Sequence, residues 1–324
     1  MSPTATATNG QNGAENQPAI PKQVTPVKPL DRTWRGDKAG KVVTTGIPKF
    51  ESKYAEREWI KEHMAAVFRY WGKLGFGEGT AGHITVRDPV LPDHYWMNPF
   101  GVHFSSMTKN KLVLMGPDGY VSPHGAQYTV NMAGYYIREL LTCFVSGGRP
   151  SFSDARSCSA ISDTAIHRAR PDIVAAAHCH SIYGKTWSVF GRPIECLQQD
   201  GCIFYNNLST YASYGGIVLA DDEGNNIAAA LGPKNKACIL QNHGLLTLGN
   251  TVDEAAYLFS LLEKQCHLQL LAEAAAANGI PKRIISDEDA AFNAEVESDP
   301  EFLYFSFQSE YELLLEETNG AFLK

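Results

Sequence analysis

Two histidines, His178 and His180, stand two positions apart in the stretch AAAHCHS, where an apolar run ends. Residues i and i+2 of a β-strand point to the same side of a sheet, so both imidazoles would face one way. A second strand-like run, ACILQNHG, also leads into a histidine, His243. Three convergent histidines with an open fourth position are typical of a catalytic divalent metal site, most often a zinc site. The alternative is that all three are ordinary core or surface histidines.

The pattern defines the site better than it defines the metal. Neutral imidazole suits zinc, iron and nickel alike. We therefore expect Zn²⁺, or another divalent metal ion, at His178, His180 and His243.

The elements that would position these histidines alternate between strands and helices. Apolar residues at helical spacing predict a helix over 51–74, and the Ala- and Leu-rich stretch 251–277 predicts the longest helix. Thr251, with Glu254 three residues later, matches a capping box at its start. Shorter helices are expected from about Gln127, over 183–190 and over 223–231, and strands over 84–87, 95–97, 111–115, 173–177, 216–220, 237–241 and 245–248. This alternation, without internal repeats, indicates an α/β domain with helices on both faces of a sheet.

A glycine-rich turn leads into the first of these strands, in the stretch FGEGTAGHITVRD. Exposed backbone amides in such a turn can hold an anion. The other interpretation is that the glycines serve only the geometry of a tight turn.

Composition divides the chain into three parts. Residues 1–50 are rich in small and polar residues and bury too little apolar surface to become ordered, so we expect a disordered tail. Residues 51–280 would form the domain. Residues 281–324 are acidic, with aromatic and leucine positions that predict a C-terminal helix packed on the domain or on a neighbouring subunit.

Charge and cysteine content exclude several classes of partner. The net charge of −7 and the lack of a Lys/Arg cluster argue against nucleic acid binding. The sequence has no apolar run of roughly eighteen residues, as a membrane helix needs, and no charged-then-apolar signal peptide at its N-terminus. Its seven cysteines are scattered and form no CxxC motif, which is typical of reduced thiols. We therefore expect a cytoplasmic protein without a membrane partner.

Three segments resemble one known family, the class II aldolase/adducin family. They are GTAGHITVRD, HRARPDIVAAAHCHS and LQNHGLLTLGNTVDEAAYLF, and the resemblance runs from about Trp59 to Ala276. The chain is accordingly identified as a member of that family. The resemblance implies a three-layer αβα sandwich, usually a homotetramer with active sites at subunit interfaces. It also implies that His178, His180 and His243 are the metal ligands.

The resemblance is incomplete where a catalytic carboxylate is expected. Sugar-phosphate aldolases of the family place a catalytic glutamate upstream of the first metal histidine, and the matching position here is Ser159. Those aldolases also place Asn after the glycine of the phosphate-binding turn, where this chain has His83. Both differences argue against retro-aldol cleavage of a phosphorylated sugar.

A second departure is an insertion of about 25 residues, 139–163, between VNMAGYYI and AIHRARPD. With these residues removed, the glutamate position falls on Gly134, which again has no carboxylate. One interpretation is a retained intron in a gene model. The other is a real surface loop, which is tolerable because the cost of loop closure grows slowly with length.

The first function hypothesis is a metal-dependent lyase. It would cleave a C–C bond of a small hydroxy or keto acid, by aldol-type chemistry or decarboxylation, through a metal-stabilised enolate. The catalytic acid and base are unknown, and the candidates are a Tyr or His of an adjacent subunit, or His103. Substrate contacts are expected in the glycine-rich turn and the NPFG stretch, at Gly82, His83, Asn98 and Gly101.

The second hypothesis is a non-catalytic, adducin-like binding or scaffold protein. The acidic C-terminal segment argues against it, because the cytoskeletal role of adducins goes with a long basic tail. A binding protein would also have little physical reason to keep three aligned metal histidines. Epimerisation of a sugar phosphate, another activity in the family, is a third alternative, and the change at His83 argues against it.

Overall fold

The computed structural model of the chain describes residues 27–131, 165–214 and 221–324. In these ranges one seven-stranded sheet is formed by β1 His83–Arg87, β2 Tyr95–Met97, β3 Val113–Met115, β4 Ala175–Cys179, β5 Leu208–Tyr211, β6 Ala237–Leu240 and β7 Gly244–Gly249. The α-helices of the same ranges are α1 Pro29–Arg32, α2 Lys53–Lys73, α3 Ala165–Ala169, α4 Ile182–Ser188, α5 Asp221–Leu231, α6 Val252–Ala277, α7 Asp287–Glu297 and α8 Pro300–Thr318.

The strands follow the order β3-β2-β1-β4-β7-β6-β5 across the sheet. Neighbouring strands are antiparallel, except that β5 and β6 are parallel. β4 lies in the middle, between β1 and β7. Its register places His83 of β1 opposite His178, and Leu245 of β7 opposite Cys179. The centre of the sheet therefore joins the glycine-rich turn to both histidine segments.

Successive residues of β4 face opposite sides of the sheet, which explains the two cores. Ala177 packs in the larger core, with Phe68 of α2, Phe259 of α6 and Phe307 of α8. Ala176 packs in the second core, which α3 and α5 cover with Ile166, Ile227 and Leu231. Helices thus cover both faces of the sheet, and the predicted α/β fold with αβα layers is confirmed.

At the start of α6, the side chains of Thr251 and Glu254 accept hydrogen bonds from backbone N–H groups. The hydroxyl of Thr251 accepts a hydrogen bond from the Glu254 N–H at 3.1 Å, as a capping box requires. The Glu254 carboxylate accepts from the Asn250 N–H at 2.7 Å and also binds Lys236, instead of returning to Thr251. The predicted helix start is therefore right, although the acid of the box is used differently.

The C-terminal helices lie against the main domain. Leu303 and Phe307 of α8 are fully buried in the larger core. The Gln308 side-chain amide donates to Asp253 of α6 at 3.0 Å, and His63 of α2 contacts the same carboxylate oxygen at 2.6 Å. α8 therefore shares both apolar packing and a polar contact with α2 and α6.

Some predicted elements differ from the structure or fall outside it. Residues 127–131 are not helical, because this segment runs alongside other backbone: Ala126 N–H donates to Leu112 O, and Phe100 N–H donates to Thr129 O. The rest of the helix expected from about Gln127 lies outside the described residues. The strand β5 is not among the predicted ones. Residues 1–26 of the expected tail, the predicted insertion 139–163 and the expected strand 216–220 lie outside the described residues.

Candidate metal centre

Two neighbouring strand ends bring the three histidines together. His178 lies in β4, and His180 follows just beyond the strand. His243 lies in the short turn between β6 and β7, where Asn242 adopts a left-handed conformation with φ of 56°. Because β7 pairs with β4, this turn lies beside the end of β4.

The geometry of the cluster suits a metal ion. One ligand atom of each histidine lies within 4.8 Å of those of the other two. The ring centroids are 4.7 Å apart for His178 and His243, 4.9 Å for His180 and His243, and 5.2 Å for His178 and His180. His178 is buried, while the other two are half-buried. Three imidazoles that leave one side accessible match a catalytic metal site better than a closed structural one.

A backbone hydrogen bond selects the tautomer of His178. Its Nδ1 lies 2.8 Å from the carbonyl oxygen of Leu245. A carbonyl oxygen only accepts, so Nδ1 carries the proton and Nε2 keeps its lone pair free. Ring nitrogens of metal-binding histidines are commonly oriented in this way. His178 is therefore ready to act as a ligand through Nε2.

The environment keeps these imidazoles neutral, as ligands must be. Burial lowers the pKa of His178 well below its usual range, and three neighbouring imidazoles lower it further. Burial also lowers the pKa of His243 to about 4 and lowers the pKa of His180. A cluster of three uncharged nitrogen donors is what a divalent metal ion needs.

Glycines allow the backbone to pass close to the cluster. A Cβ on Gly244 would lie 3.0 Å from Cys179 O and 3.6 Å from Cε1 of His178. A Cβ on Gly82 would lie 2.7 Å from the Cβ of Cys179, and φ of Gly82 is +89°. Both glycines therefore permit contacts that any larger residue would disturb.

Among the expected substrate contacts, His83 comes nearest to the cluster. Its ring centroid is 5.3 Å from that of His178, and the residue is only 6% exposed. Its position follows from the pairing of β1 with β4. The structure therefore adds a fourth imidazole beside the three that approach one another most closely.

The other expected contacts have more structural roles. The Asn98 side chain accepts from the Ile84 N–H and donates to Gly82 O, both at 3.4 Å, so it ties the turn to β2. Gly101 has φ of +78° and open space around it. The exposed His103 accepts from the Ser105 N–H through Nδ1 at 3.1 Å.

One ion pair near the site was not anticipated from the sequence. Lys185 of α4 donates to both carboxylate oxygens of Glu78, at 2.6 and 2.9 Å, and so joins α4 to the glycine-rich turn. This bond and the charge of Lys185 lower the pKa of Glu78. No local signal could have revealed the pair, because the partners are 107 residues apart. The positions matched to the aldolase glutamate, Ser159 and Gly134, lie outside the described residues.

Within the described ranges, no helix combines the length and apolar character that crossing a membrane requires. The five cysteines described there, Cys179, Cys196, Cys202, Cys238 and Cys266, are all free thiols.

Comparison with known proteins gives relatives along most of the chain. The Meiotically up-regulated gene 14 protein of Schizosaccharomyces pombe is 38% identical over 240 residues, covering 74% of this chain and 83% of the relative. Decarboxylase NovR of Streptomyces niveus is 37% identical, covering 73% and 77%. The 4-hydroxy-3-prenylphenylpyruvate oxygenase/4-hydroxy-3-prenylbenzoate synthase of Streptomyces roseochromogenus is 38% identical, covering 73% and 76%. The decarboxylase and benzoate synthase names, together with the aldolase described below, support a function of the lyase type.

Adducins are more distant. α-Adducin of Rattus norvegicus is 27% identical over 236 residues, which cover 72% of this chain and only 28% of the adducin.

A solved structure agrees with the sequence relatives. The L-fuculose 1-phosphate aldolase of Glaciozyma antarctica PI12 is 36% identical, with a TM-score of 0.70, and covers 86% of this chain and 97% of its own. Class II aldolases generally depend on a divalent metal ion and act on small molecules. The family described as Class II Aldolase and Adducin N-terminal domain matches residues 62–270. The resemblance noted in the sequence is thereby confirmed, and the chain belongs to the class II aldolase and adducin N-terminal domain family.

Proposed function

We propose that this chain is a metal-dependent enzyme of the lyase type that cleaves a C–C bond of a small hydroxy or keto acid. The observation that carries the proposal is the convergence of His178, His180 and His243, whose ligand atoms lie within 4.8 Å of one another. The proposal covers two reactions that share one requirement, stabilisation of negative charge beside a carbonyl group. These are aldol-type cleavage and decarboxylation.

The three histidines would hold Zn²⁺ or another divalent ion. A metal bound there would act as a Lewis acid on a carbonyl or carboxylate oxygen of the substrate. His178 would bind the metal through Nε2, because its Nδ1–H donates a hydrogen bond to Leu245 O. His83, whose ring lies beside that of His178, would contact the substrate, together with the glycine-rich turn that contains Gly82. Asn98 and Gly101 would shape the same rim.

Two relatives favour decarboxylation, whereas the solved aldolase is named for a sugar phosphate. One relative is named a decarboxylase, and another is named for an arylpyruvate and a benzoate. The glycine-rich turn here holds a carboxylate, Glu78, bound by Lys185. Because Lys185 is paired with this carboxylate, it does not offer a free positive charge to a phosphate dianion. A keto or hydroxy acid fits this arrangement better.

An oxygenase is the second candidate. The relative from Streptomyces roseochromogenus carries that activity in its name. Three imidazoles suit iron as well as zinc, so the donor set is compatible with either metal. Iron in the purified protein, with O₂ uptake that depends on the added acid, would favour this candidate over the lyase.

We also propose a homotetramer, as expected from the resemblance. Exposed apolar side chains on and just after α4, namely Ile182, Val189 and Phe190, support burial against another copy. Light scattering of the protein as it elutes from a size-exclusion column measures the molecular mass of the assembly directly. A monomer mass at micromolar concentration would contradict this assembly.

We place the enzyme in the cytoplasm. The support is the cysteine chemistry: all five described cysteines are free thiols, as is usual in a reducing compartment. Localisation of a tagged chain in cells tests the assignment.

The first experiment measures metal content per chain by elemental analysis. We compare the wild type with His178→Ala/His180→Ala, and with His124→Ala as a matched control, because His124 is exposed. We expect about one divalent ion per chain in the wild type and the control, and little in the double variant. The metal-loaded protein is then tested with 4-hydroxyphenylpyruvate, oxaloacetate and L-fuculose 1-phosphate, with CO₂ and carbonyl fragments as readouts.

Folded wild-type protein without metal would contradict the enzyme proposal and favour the adducin-like binding protein. Metal with cleavage of L-fuculose 1-phosphate alone would keep the lyase but overturn the acid substrate.

A further inference from the structure

A carboxylate far along the chain holds the segment that follows the metal histidines. Glu263 lies on α6 and is only 4% exposed. Its Oε2 accepts from the Ser181 hydroxyl at 2.5 Å and from the Gly184 N–H at 2.6 Å. Its Oε1 accepts from the Tyr183 N–H at 2.8 Å. We infer that Glu263 is a positioning residue for the metal centre, acting through these bonds on His180 and His178.

The connection to His180 is direct along the backbone. Ser181 follows His180 immediately, and the three donors all belong to residues 181–184. Three bonds to one rigid carboxylate leave this segment little freedom. Without them, the backbone just after His180 would lose its anchor on α6, since the strand pairing of β4 ends at Cys179.

The connection to His178 passes through Leu245. A Cβ on Gly184 would lie 2.5 Å from two Leu245 side-chain atoms and 2.9 Å from Oε2 of Glu263. Gly184 therefore packs closely against the side chains of both Glu263 and Leu245. The carbonyl of Leu245 is the group that accepts the Nδ1 proton of His178. Glu263 thus supports the positions of two histidines at the end of the same strand, His180 through Ser181 and His178 through Leu245.

The chemistry of these contacts requires a carboxylate. Both oxygens of Glu263 accept, and all three partners donate. Glutamine would present an NH₂ group to at least one backbone N–H, and two donors cannot bond each other. Because the site is buried, water cannot easily replace the lost acceptor. The change Glu263→Gln therefore alters the contact while keeping nearly the same shape.

This inference rests on the proposed metal site, and its test measures metal binding instead of turnover. Wild type, Glu263→Gln and Ser181→Ala are titrated with Zn²⁺ against a chromophoric chelator, and the visible spectrum of each Co²⁺-substituted protein is recorded. Glu273→Gln is the matched control, because Glu273 lies further along α6 in a surface network with Lys282. Thermal unfolding of each metal-free protein measures stability separately.

We expect Glu263→Gln to weaken Zn²⁺ binding by about 10- to 100-fold and to change the Co²⁺ spectrum, as loss of an outer-sphere support does elsewhere. Ser181→Ala should change both in the same direction by less, and Glu273→Gln should change neither. Should Glu263→Gln fail to fold, Ser181→Ala carries the test alone.

Two outcomes overturn the inference and remain distinguishable. If Glu263→Gln and Ser181→Ala both keep the wild-type Zn²⁺ affinity and Co²⁺ spectrum, Glu263 serves stability only, even if their unfolding temperatures are lowered. A wild-type protein that binds no Zn²⁺ or Co²⁺ would overturn the proposed metal site as well.

Discussion

Gly82 shows at the scale of one residue how the turn and the metal strand constrain each other. Its φ of +89° is strained for any other residue, and a Cβ would meet that of Cys179 at 2.7 Å. We expect Gly82→Ala to lower the free energy of unfolding by about 2–4 kcal/mol. Urea denaturation measures the change.

Gly79 provides the control for Gly82. Its φ is +58°, but a Cβ there has nothing within 4 Å. Gly79→Ala should therefore lose only the conformational part, about 1 kcal/mol. Equal losses in the two variants would mean that the approach to Cys179 contributes nothing.

Because the Cys238 thiol is buried, we expect it to lower the stability of the protein at alkaline pH. Burial raises the pKa of its thiol from 9.0 to about 11. Between the two pKa values the folded protein keeps a proton that the unfolded chain has lost. The contribution of this thiol to the free energy of unfolding is therefore fully present below pH 9 and is lost as the pH rises through 11. The loss amounts to about 3 kcal/mol for this thiol.

The test follows urea unfolding from pH 8 to pH 11 in wild type and Cys238→Ala. The variant should fall less steeply, by about 1.4 kcal/mol per pH unit between the two pKa values. Parallel curves would contradict the assignment to Cys238.

At the scale of elements, α8 belongs to the core as much as α2 and α6 do. Phe307 is 0% exposed and packs edge to face on Tyr70 of α2, with ring centroids 5.5 Å apart. We expect Phe307→Ala to cost about 3–5 kcal/mol of unfolding free energy, because it leaves a cavity. Phe305, two positions earlier and 43% exposed, is the control.

Phe305→Ala should change stability by less than about 0.5 kcal/mol. Thermal or urea unfolding of both variants gives the comparison. A small effect of Phe307→Ala would mean that α8 detaches from the core at little cost.

The elements differ in how far the sequence could predict them. The i, i+2 spacing of His178 and His180 is a local signal of a shared strand face, so the convergence of histidines could be anticipated. β5 could not, because Leu208–Tyr211 is a half-buried edge strand without apolar alternation. The partners of Glu263 lie 79 to 82 residues away, and periodicity within one helix carries no information over that distance.

α6 illustrates the same limit over a whole helix. Three of its buried acids each face a different partner: Asp253 meets His63 and Gln308, Glu254 meets Lys236, and Glu263 meets the segment after His180. The helical pattern predicted the helix and its Thr251 cap. It could not say why acids occupy buried positions, because the reasons lie on other elements.

At the scale of the whole molecule, the segment 139–163 is open to a direct test. If the segment is a surface loop or a retained intron, removing it should leave the fold and the metal stoichiometry unchanged, because loop length affects closure only weakly. We expect the shortened chain to bind one divalent ion per chain, as the full chain should. Elemental analysis and circular dichroism of both chains provide the comparison.

Sequencing the transcript separates the two interpretations. Messages that lack the codons for 139–163 would identify an intron, and a continuous message in most copies would establish the loop. Loss of metal in the shortened, folded chain would contradict both, because the segment would then be part of the centre.

The bond from His178 to Leu245 spans 67 residues of chain. Such a contact forms only after a long loop has closed, and folding that depends on distant pairings is slow. The order of events is then opposite to that in a zinc finger, where the ion gathers its ligands and so drives the folding. In this chain we expect β4 and β7 to pair before the imidazoles converge, because the strands position them. During refolding, metal binding should therefore begin only after the strands at the centre of the sheet have paired.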